Sequence, residues 1–277
     1  MSLASYSLAQ HSGRADQLVP RTYHSPLHRA AAIGTRQMVL DLLKTKDDGV
    51  NLNSVLAEAV QANRTEIIPL IIKAGADVNE PSPHGDFLTV LYVACLYRHS
   101  SVVKVLLKYG AKANLEIKGK NTQPILFAAI APLRFQSVKA IATVRKLIAA
   151  GVNVNETDIH GRTPLHDAAL CRQPLIARML IDAGANVNAQ DKNGETPLYR
   201  LRVNYPDDYR YVKATAKVLL DAGAGRNIRD NKNQTAEESL LELQEFKIAR
   251  YIRNYKVGYA NPVATPLAAA PSQPLAL

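Results

Sequence analysis

The chain has 277 residues, 47% of them apolar and 21% charged, a globular balance that excludes disorder along its whole length. Two cysteines, Cys95 and Cys171, exclude a disulfide framework or a cysteine zinc site and suit a reducing compartment. The net charge is +10, and residues 89–155 carry +9 of it, with ten Lys and Arg against the single acid Glu116.

Residues 1–23 match nothing else in the chain and read as a flexible segment; they lack the basic start and apolar core of a signal peptide. From residue 24 onward one phrase recurs: a turn, Thr-Pro-Leu-His, a small-residue helix, Leu-Leu, then Gly-Ala-x-Val-Asn. Copies open at Ser25-Pro26-Leu27-His28, Ser54-Val55-Leu56-Ala57, Thr89-Val90-Leu91-Tyr92, Gln123-Pro124-Ile125-Leu126, Thr163-Pro164-Leu165-His166 and Thr196-Pro197-Leu198-Tyr199. They close at Asn53, Asn79, Asn114, Asn155, Asn188 and Asn227. Physical roles follow from residue type. Thr163 caps a helix and Pro164 suits its first position. Ala168 and Ala169 let helices approach, Leu180 and Ile181 fill the space between repeats, and Gly184 ends the second helix in a left-handed conformation. Asp158-Ile159-His160-Gly161 and Asp191-Lys192-Asn193-Gly194 are turn sequences at the tips of connecting hairpins.

Spacing marks the irregular copies. Ser54 to Asn79, Thr89 to Asn114 and Thr163 to Asn188 each span 25 residues. The first copy is three longer, the fourth seven longer and the sixth six longer. The large insertions fall between the two helices, at 131–137 and 203–211, where Pro132 and Pro206 end or bend a first helix. One extra turn on each helix would make repeats four and six project beyond repeat five. At Asn53-Ser54 the hairpin is missing. The unit from Thr235 to Tyr255 has a polar final helix with Lys247, Arg250, Arg253 and Lys256, as a terminal cap requires. Residues 257–277 read as a flexible tail.

These copies, above all Thr163-Pro164-Leu165-His166-Asp167-Ala168-Ala169, resemble the ankyrin repeat over roughly 24–256. The resemblance implies an all-α solenoid of about six helix-turn-helix repeats with connecting β-hairpin turns and a C-terminal helical cap. It implies a non-enzymatic, monomeric protein-binding module in the cytoplasm that uses hairpin tips and first helices. A short irregular array is also similar to type IV secreted bacterial ankyrin effectors, which act in the host cytosol; Leu275, third from the end, fits the apolar placement of such tails.

Other chemistry finds little support. Cys95 and Cys171 stand near His99 and His166, but Cys95 fills a packing slot of the motif. His28 and His166 fill the motif's His slot. No paired-histidine, Cys-x-x-Cys or glycine-rich phosphate motif occurs, so no metal or cofactor is expected. The run Gln123–Leu133 is well short of the ~20 residues a membrane span needs. The basic block reads first as a solvated face, next as a surface for an acidic protein or anionic membrane, and last as a nucleic-acid grip, because its charges lie on several surfaces. Expected partner-binding residues are Lys118, Lys120, His160 and Arg162 at hairpin tips, Phe127 and Arg200 on first helices, and Arg134, Phe135, Tyr205, Tyr209, Arg210 and Tyr211 in the inserts. Tyr and Arg are the side chains that anchor interfaces.

Overall fold

The computed structural model describes residues 25–45, 49–81, 88–114, 123–130, 137–203 and 208–256. The flanks, Leu275, Lys118, Lys120, Arg134, Phe135 and Tyr205 lie outside the described residues. Helices follow one another in pairs. The first members are α1 (Pro26–Ile33), α3 (Leu52–Gln61), α5 (Val90–Leu96), α7 (Ile125–Ile130), α9 (Pro164–Leu170), a 3-10 helix (Pro197–Arg200) and α12 (Ala236–Glu242). Their second members are α2 (Arg36–Lys44), α4 (Ile68–Lys73), α6 (Ser100–Lys108), α8 (Val138–Ala149), α10 (Pro174–Asp182), α11 (Tyr209–Asp221) and α13 (Phe246–Arg253). First helices pack on first helices, and second helices on second helices, in chain order.

The motif residues start the helices as their chemistry dictates. Ser25, Thr89 and Thr235 each accept a backbone N–H from three residues on. Thr163 forms a capping box with His166, and Pro164 occupies the first helical turn. Each such cap contributes about 1 kcal/mol. Ala168, Ala169 and Leu180 are fully buried between layers, and Cys95 is buried in its packing slot. Gly184 has φ of +93° with open space where a Cβ would stand, so a side chain there costs backbone strain alone.

Three ladders tie neighbouring pairs together. The first runs through the closing asparagines. Asn79 donates to the Gly110 carbonyl (3.1 Å) and accepts from Lys112 N–H (2.9 Å). Asn114 does the same to Gly151 and Asn153, and Asn155 to Gly184 and Asn186. Asn188 repeats it with Gly223 and Gly225. At the end of the array Arg226 takes over, donating to the carbonyls of Ile252, Arg253 and Tyr255.

The second ladder stacks the turns that join repeats. Asp158, Asp191 and Asp230 each accept the backbone N–H groups two and four residues ahead. These turns then bond to each other, Lys192 N–H to the His160 carbonyl and Asn231 N–H to the Asn193 carbonyl, both at 2.9 Å. Gly194 lies beneath the next turn: an added Cβ would stand 2.8 Å from Asn231 Oδ1. Extended pairing is minimal. The described residues contain only the isolated bridges Pro81–Thr89 and Arg229–Thr235 in place of hairpin ladders.

The third ladder follows the opposite edge, where the two helices of a pair meet. Asn63, Arg98, Arg172 and Gln244 hold positive φ at that turn. In each case the next residue reaches back to the preceding repeat. Arg64 donates to the Ala32 and Gly34 carbonyls, His99 bonds the Gln61 carbonyl, Gln173 donates to the Ile130 carbonyl, and Glu245 accepts from Val203 N–H.

Three expectations change. The second repeat opens at Leu52, capped by Asn51, so Asn53 lies inside α3 although its side chain still accepts from Asp77 N–H. Among the described residues the insertions lengthen the second helices: α8 and α11 have 12 and 13 residues against 9 in α10. Among the described residues no first helix is lengthened. The sixth shrinks to four residues of 3-10 helix, because Leu201–Val203 leave the helical path before Pro206.

Candidate protein-interaction surface

The edge where helices meet carries the exposed apolar side chains. Ile33, Met38, Tyr97, Val138, Leu175, Leu243 and Phe246 all stand at or beside a helix–helix turn, and Val138, Ile33 and Phe246 are 80%, 64% and 61% exposed. Among the described residues one further large apolar side chain, Ile159, is exposed, at a repeat-joining turn. Solvation explains why such residues are rare elsewhere, since the interior faces of both helices are consumed by stacking. The extra turns of α8 and α11 extend this edge by about 5 Å at three to four residues and 1.5 Å each.

The expected partner-binding residues take different places. Tyr209, Arg210 and Tyr211 form the added turn of α11. Arg210 is exposed, with its guanidinium 4.6 Å from the Tyr211 ring centre, while Tyr209 is half-buried against the core. His160 is exposed at a turn tip. Phe127 is 1% exposed among the wholly buried residues of α7, so it is a core side chain.

Arg162 and Arg200 are engaged inside the turn stack. Arg162 donates from Nε and Nη2 to Asp158 Oδ2, at 2.8 and 2.6 Å, and Arg200 pairs with Asp191 and, at 3.0 Å, with Glu195. Burial pushes the Asp158 carboxyl up, but the Arg162 hydrogen bonds and charge outweigh it and hold it below the ordinary value. Asp167 is partly buried without such close partners, its nearest guanidinium being Arg162 at 3.7 Å, and desolvation raises it to about 6.

The histidines of the motif are also structural. His166 Nδ1 lies 3.0 Å from Thr163 N–H, which can only donate, so Nδ1 accepts. Its Nε2 then donates to the Glu195 carbonyl at 3.0 Å. This fixes a neutral ring, and burial lowers the His166 pKa further below its ordinary value. Burial drives both thiols up, Cys171 to about 12, so neither is an activated nucleophile. Among the described residues no three metal-ligating side chains cluster, and no helix is long and apolar enough to cross a membrane.

The third ladder and the apolar edge were not visible as motifs. The slot holding Arg64, His99, Gln173 and Glu245 shares no letter; its common feature is a long polar side chain at one fixed place in the repeat.

Comparison with known proteins agrees with this architecture. A family model described as ankyrin repeats in three copies matches residues 27–117 and 56–143, and one of ankyrin repeats in many copies matches 147–199. Ankyrin repeat protein FPV031 of fowlpox virus is 30% identical over 118 residues, 43% of this chain and 33% of that protein. Human ankyrin repeat and SOCS box protein 6 is 25% identical over 114 residues, 41% of this chain and 25% of its own. The chicken nuclear factor NF-kappa-B p105 subunit is 31% identical over 143 residues, 47% of this chain and 14% of its own. The matches span a third or less of these relatives. The crystal structure of the human ASB11 ankyrin repeat domain superposes with a TM-score of 0.62 at 28% identity, covering 78% of this chain and 91% of that one. The Bcl-3 ankyrin repeat domain gives 0.66 at 24%, covering 82% and 98%. The stacked helix pairs, the ladders between them and these matches together place the chain in the ankyrin-repeat family, whose repeats are a protein–protein interaction module.

Proposed function

We propose that this chain is a non-enzymatic adaptor that docks a protein partner along its helix-turn edge. The observation that carries this reading is that, among the described residues, seven of the eight exposed large apolar side chains lie on that one edge. An apolar row with a polar surround is the composition of a recognition surface. The added turns of α8 and α11 flank repeat five there, and Arg134, Phe135, Tyr205, Tyr209, Arg210 and Tyr211 belong to the two insert regions. The basic block at 89–155 favours an acidic partner and an association that weakens with salt. The competing reading uses His160 at its turn tip together with Lys118 and Lys120, which fall between repeats three and four in the sequence.

The test begins with cross-linking and affinity capture to obtain a partner from cytosolic extracts, of a eukaryotic host as well as of bacteria. Binding is then measured for Val138→Glu with Leu175→Glu, and separately for Lys118→Ala with Lys120→Ala and His160→Ala. Loss of about ten-fold or more in the edge variant alone supports the reading, since a buried interface anchor is worth about 2 kcal/mol. Loss only in the turn-tip variant moves the site to the other side of the solenoid.

A further inference from the structure

The outer layer of the last two helix pairs holds a second surface of different chemistry. An open cleft of about 430 Å³ runs between α11 and α13, lined by Tyr209, Lys247, Arg250, Tyr251, Tyr255 and Lys256. Together α11 and α13 carry six cations and one carboxylate, Asp221. That carboxylate is already engaged, accepting from Lys217 Nζ at 2.7 Å and from the Tyr255 hydroxyl. Among the described residues no ion pair reaches Lys247, Arg250 or Lys256. Arg253, on the same helix, is different: it bonds Glu237 on the neighbouring helix α12.

A solvated capping face needs charge but does not need a tyrosine-lined cleft. Here the rings order the cations. Lys213, Lys217 and Lys247 stand 5.3, 6.0 and 5.8 Å from the ring centres of Tyr251, Tyr255 and Tyr209. Tyr251 and Tyr255 meet edge to face at 5.5 Å. Cation–π contact holds the ammonium groups in place, which lowers the entropy lost when an anion arrives. The same contacts occupy ring faces, so stacked bases find little free platform, whereas carboxylates find ordered cations.

We propose that this cleft is a docking site for an acidic peptide segment of a partner protein, separate from the apolar helix-turn edge. Charge complementarity selects the occupant. Among the described residues Lys247 and Arg250 on α13 and Lys256 just past its end are cations outside any ion pair, and they match carboxylates on an extended or helical acidic segment.

The full chain is titrated into a fluorescein-labelled oligoglutamate peptide and followed by anisotropy at low and at physiological salt. The expected result is saturable binding that weakens with salt. Lys247→Glu and Arg250→Glu should each weaken it on the order of ten-fold, because each reverses a charge at the site. Arg253→Glu makes the same change in net charge outside the cleft and should leave binding within about two-fold of the parent. Lys247→Gln serves where a reversal unfolds the cap, and circular dichroism melts show which variants are folded. Absence of saturable binding overturns the proposal. So does an equal effect from Arg253→Glu, which would show attraction to net charge only. Tighter binding of oligothymidylate or of phosphatidylserine vesicles than of the peptide, lost on Lys247→Gln, would assign the cleft to nucleic acid or membrane and overturn it as well.

Discussion

The junction between repeats one and two and the junction between repeats five and six solve the same problem with different parts. Both place a motif histidine on a first helix, His28 and His166, aimed at the following repeat. At the later junction a turn is present, and His166 bonds its backbone through the Glu195 carbonyl. At the earlier one the chain enters α3 directly, and His28 Nε2 meets the Ser54 hydroxyl at 2.6 Å. Between repeats six and seven the slot is Tyr199, whose hydroxyl has the Ile228 and Gln234 carbonyls at 2.7 and 2.5 Å as alternative acceptors for its one proton. The slot demands a polar group of sufficient reach. The identity of that group follows from what the next repeat offers.

The two junctions also differ in cost. The later one pairs the buried Asp191 with the partly buried Arg200 and stacks on the Asp158–Arg162 pair of the preceding turn; the earlier one joins His28 to a serine hydroxyl and Arg64 to backbone carbonyls. The largest expected effect therefore comes from Asp191→Ala. It strips the Asn193 and Glu195 N–H groups of their acceptor and leaves Arg200 with Glu195 alone. Breaking a buried pair from one side costs about 3–5 kcal/mol. Urea denaturation should show a loss of stability of that size. A loss below about 1 kcal/mol would mean the turn stack contributes little beyond geometry.

A second perturbation acts in the opposite direction. Asp167 lies next to this stack with its carboxyl raised to about 6 from an ordinary 3.8, chiefly by burial and against the pull of Arg162. Between those two values the folded chain holds more protons than the unfolded one, so this group lowers stability as pH rises through the window. Asp167→Asn removes the penalty. Each tenfold change in proton affinity between the folded and unfolded chain is worth about 1.4 kcal/mol, so the variant should gain about 2–3 kcal/mol relative to the parent at pH 8, and much less at pH 4. Urea midpoints at the two pH values test this. A variant destabilised more at pH 8 than at pH 4 would show that the Arg162 contact outweighs the burial.

Much of this architecture was legible from residues with a single physical role. Helix caps at Ser25, Thr89 and Thr163, the left-handed Gly184 and the aspartate turns at Asp158 and Asp191 do the same thing in any context. Residues whose role depends on a partner some 30 to 40 positions away were not legible. Arg64 and Ala32, or Gln173 and Ile130, become neighbours only through stacking. Insert length was legible, but its shape was not. Both long repeats put the added turn on the second helix, where it can continue an existing hydrogen-bond ladder. The first helix of repeat six, starting from Pro197 and followed by Pro206, had no such option. Arg162 and Arg200 read as free cations in a linear sequence because Asp158 and Asp191 already had an evident job in capping the turns. Each aspartate does both, one oxygen toward backbone and the other toward guanidinium.

The smallest effect discriminates most directly between the two junctions. His166→Ala leaves the buried Thr163 N–H without its acceptor, while the Glu195 carbonyl loses the ring but still accepts from the Asp191 N–H at 3.0 Å. Unsatisfied buried groups cost about 1–3 kcal/mol. His28→Ala removes contacts to two hydroxyls that retain other bonds: Ser54 Oγ still donates to the Asn51 carbonyl at 2.7 Å, and Ser25 Oγ still caps α1 through the backbone N–H of residue 28. The earlier junction should therefore lose about 1 kcal/mol less than the later one. Acid sharpens the contrast. The folded pKa of His166 is lowered, so its contribution is present above the unfolded value near 6.5 and is lost as pH falls below it. The cost of His166→Ala should shrink between pH 7.5 and pH 5.5, since the parent has by then lost what the variant lacks. Thermal melts of the two variants beside the parent at both pH values measure this. Equal losses at pH 7.5 would mean that the turn at Asp191–Glu195 does not need its histidine, and that the two junctions differ in form but not in strength.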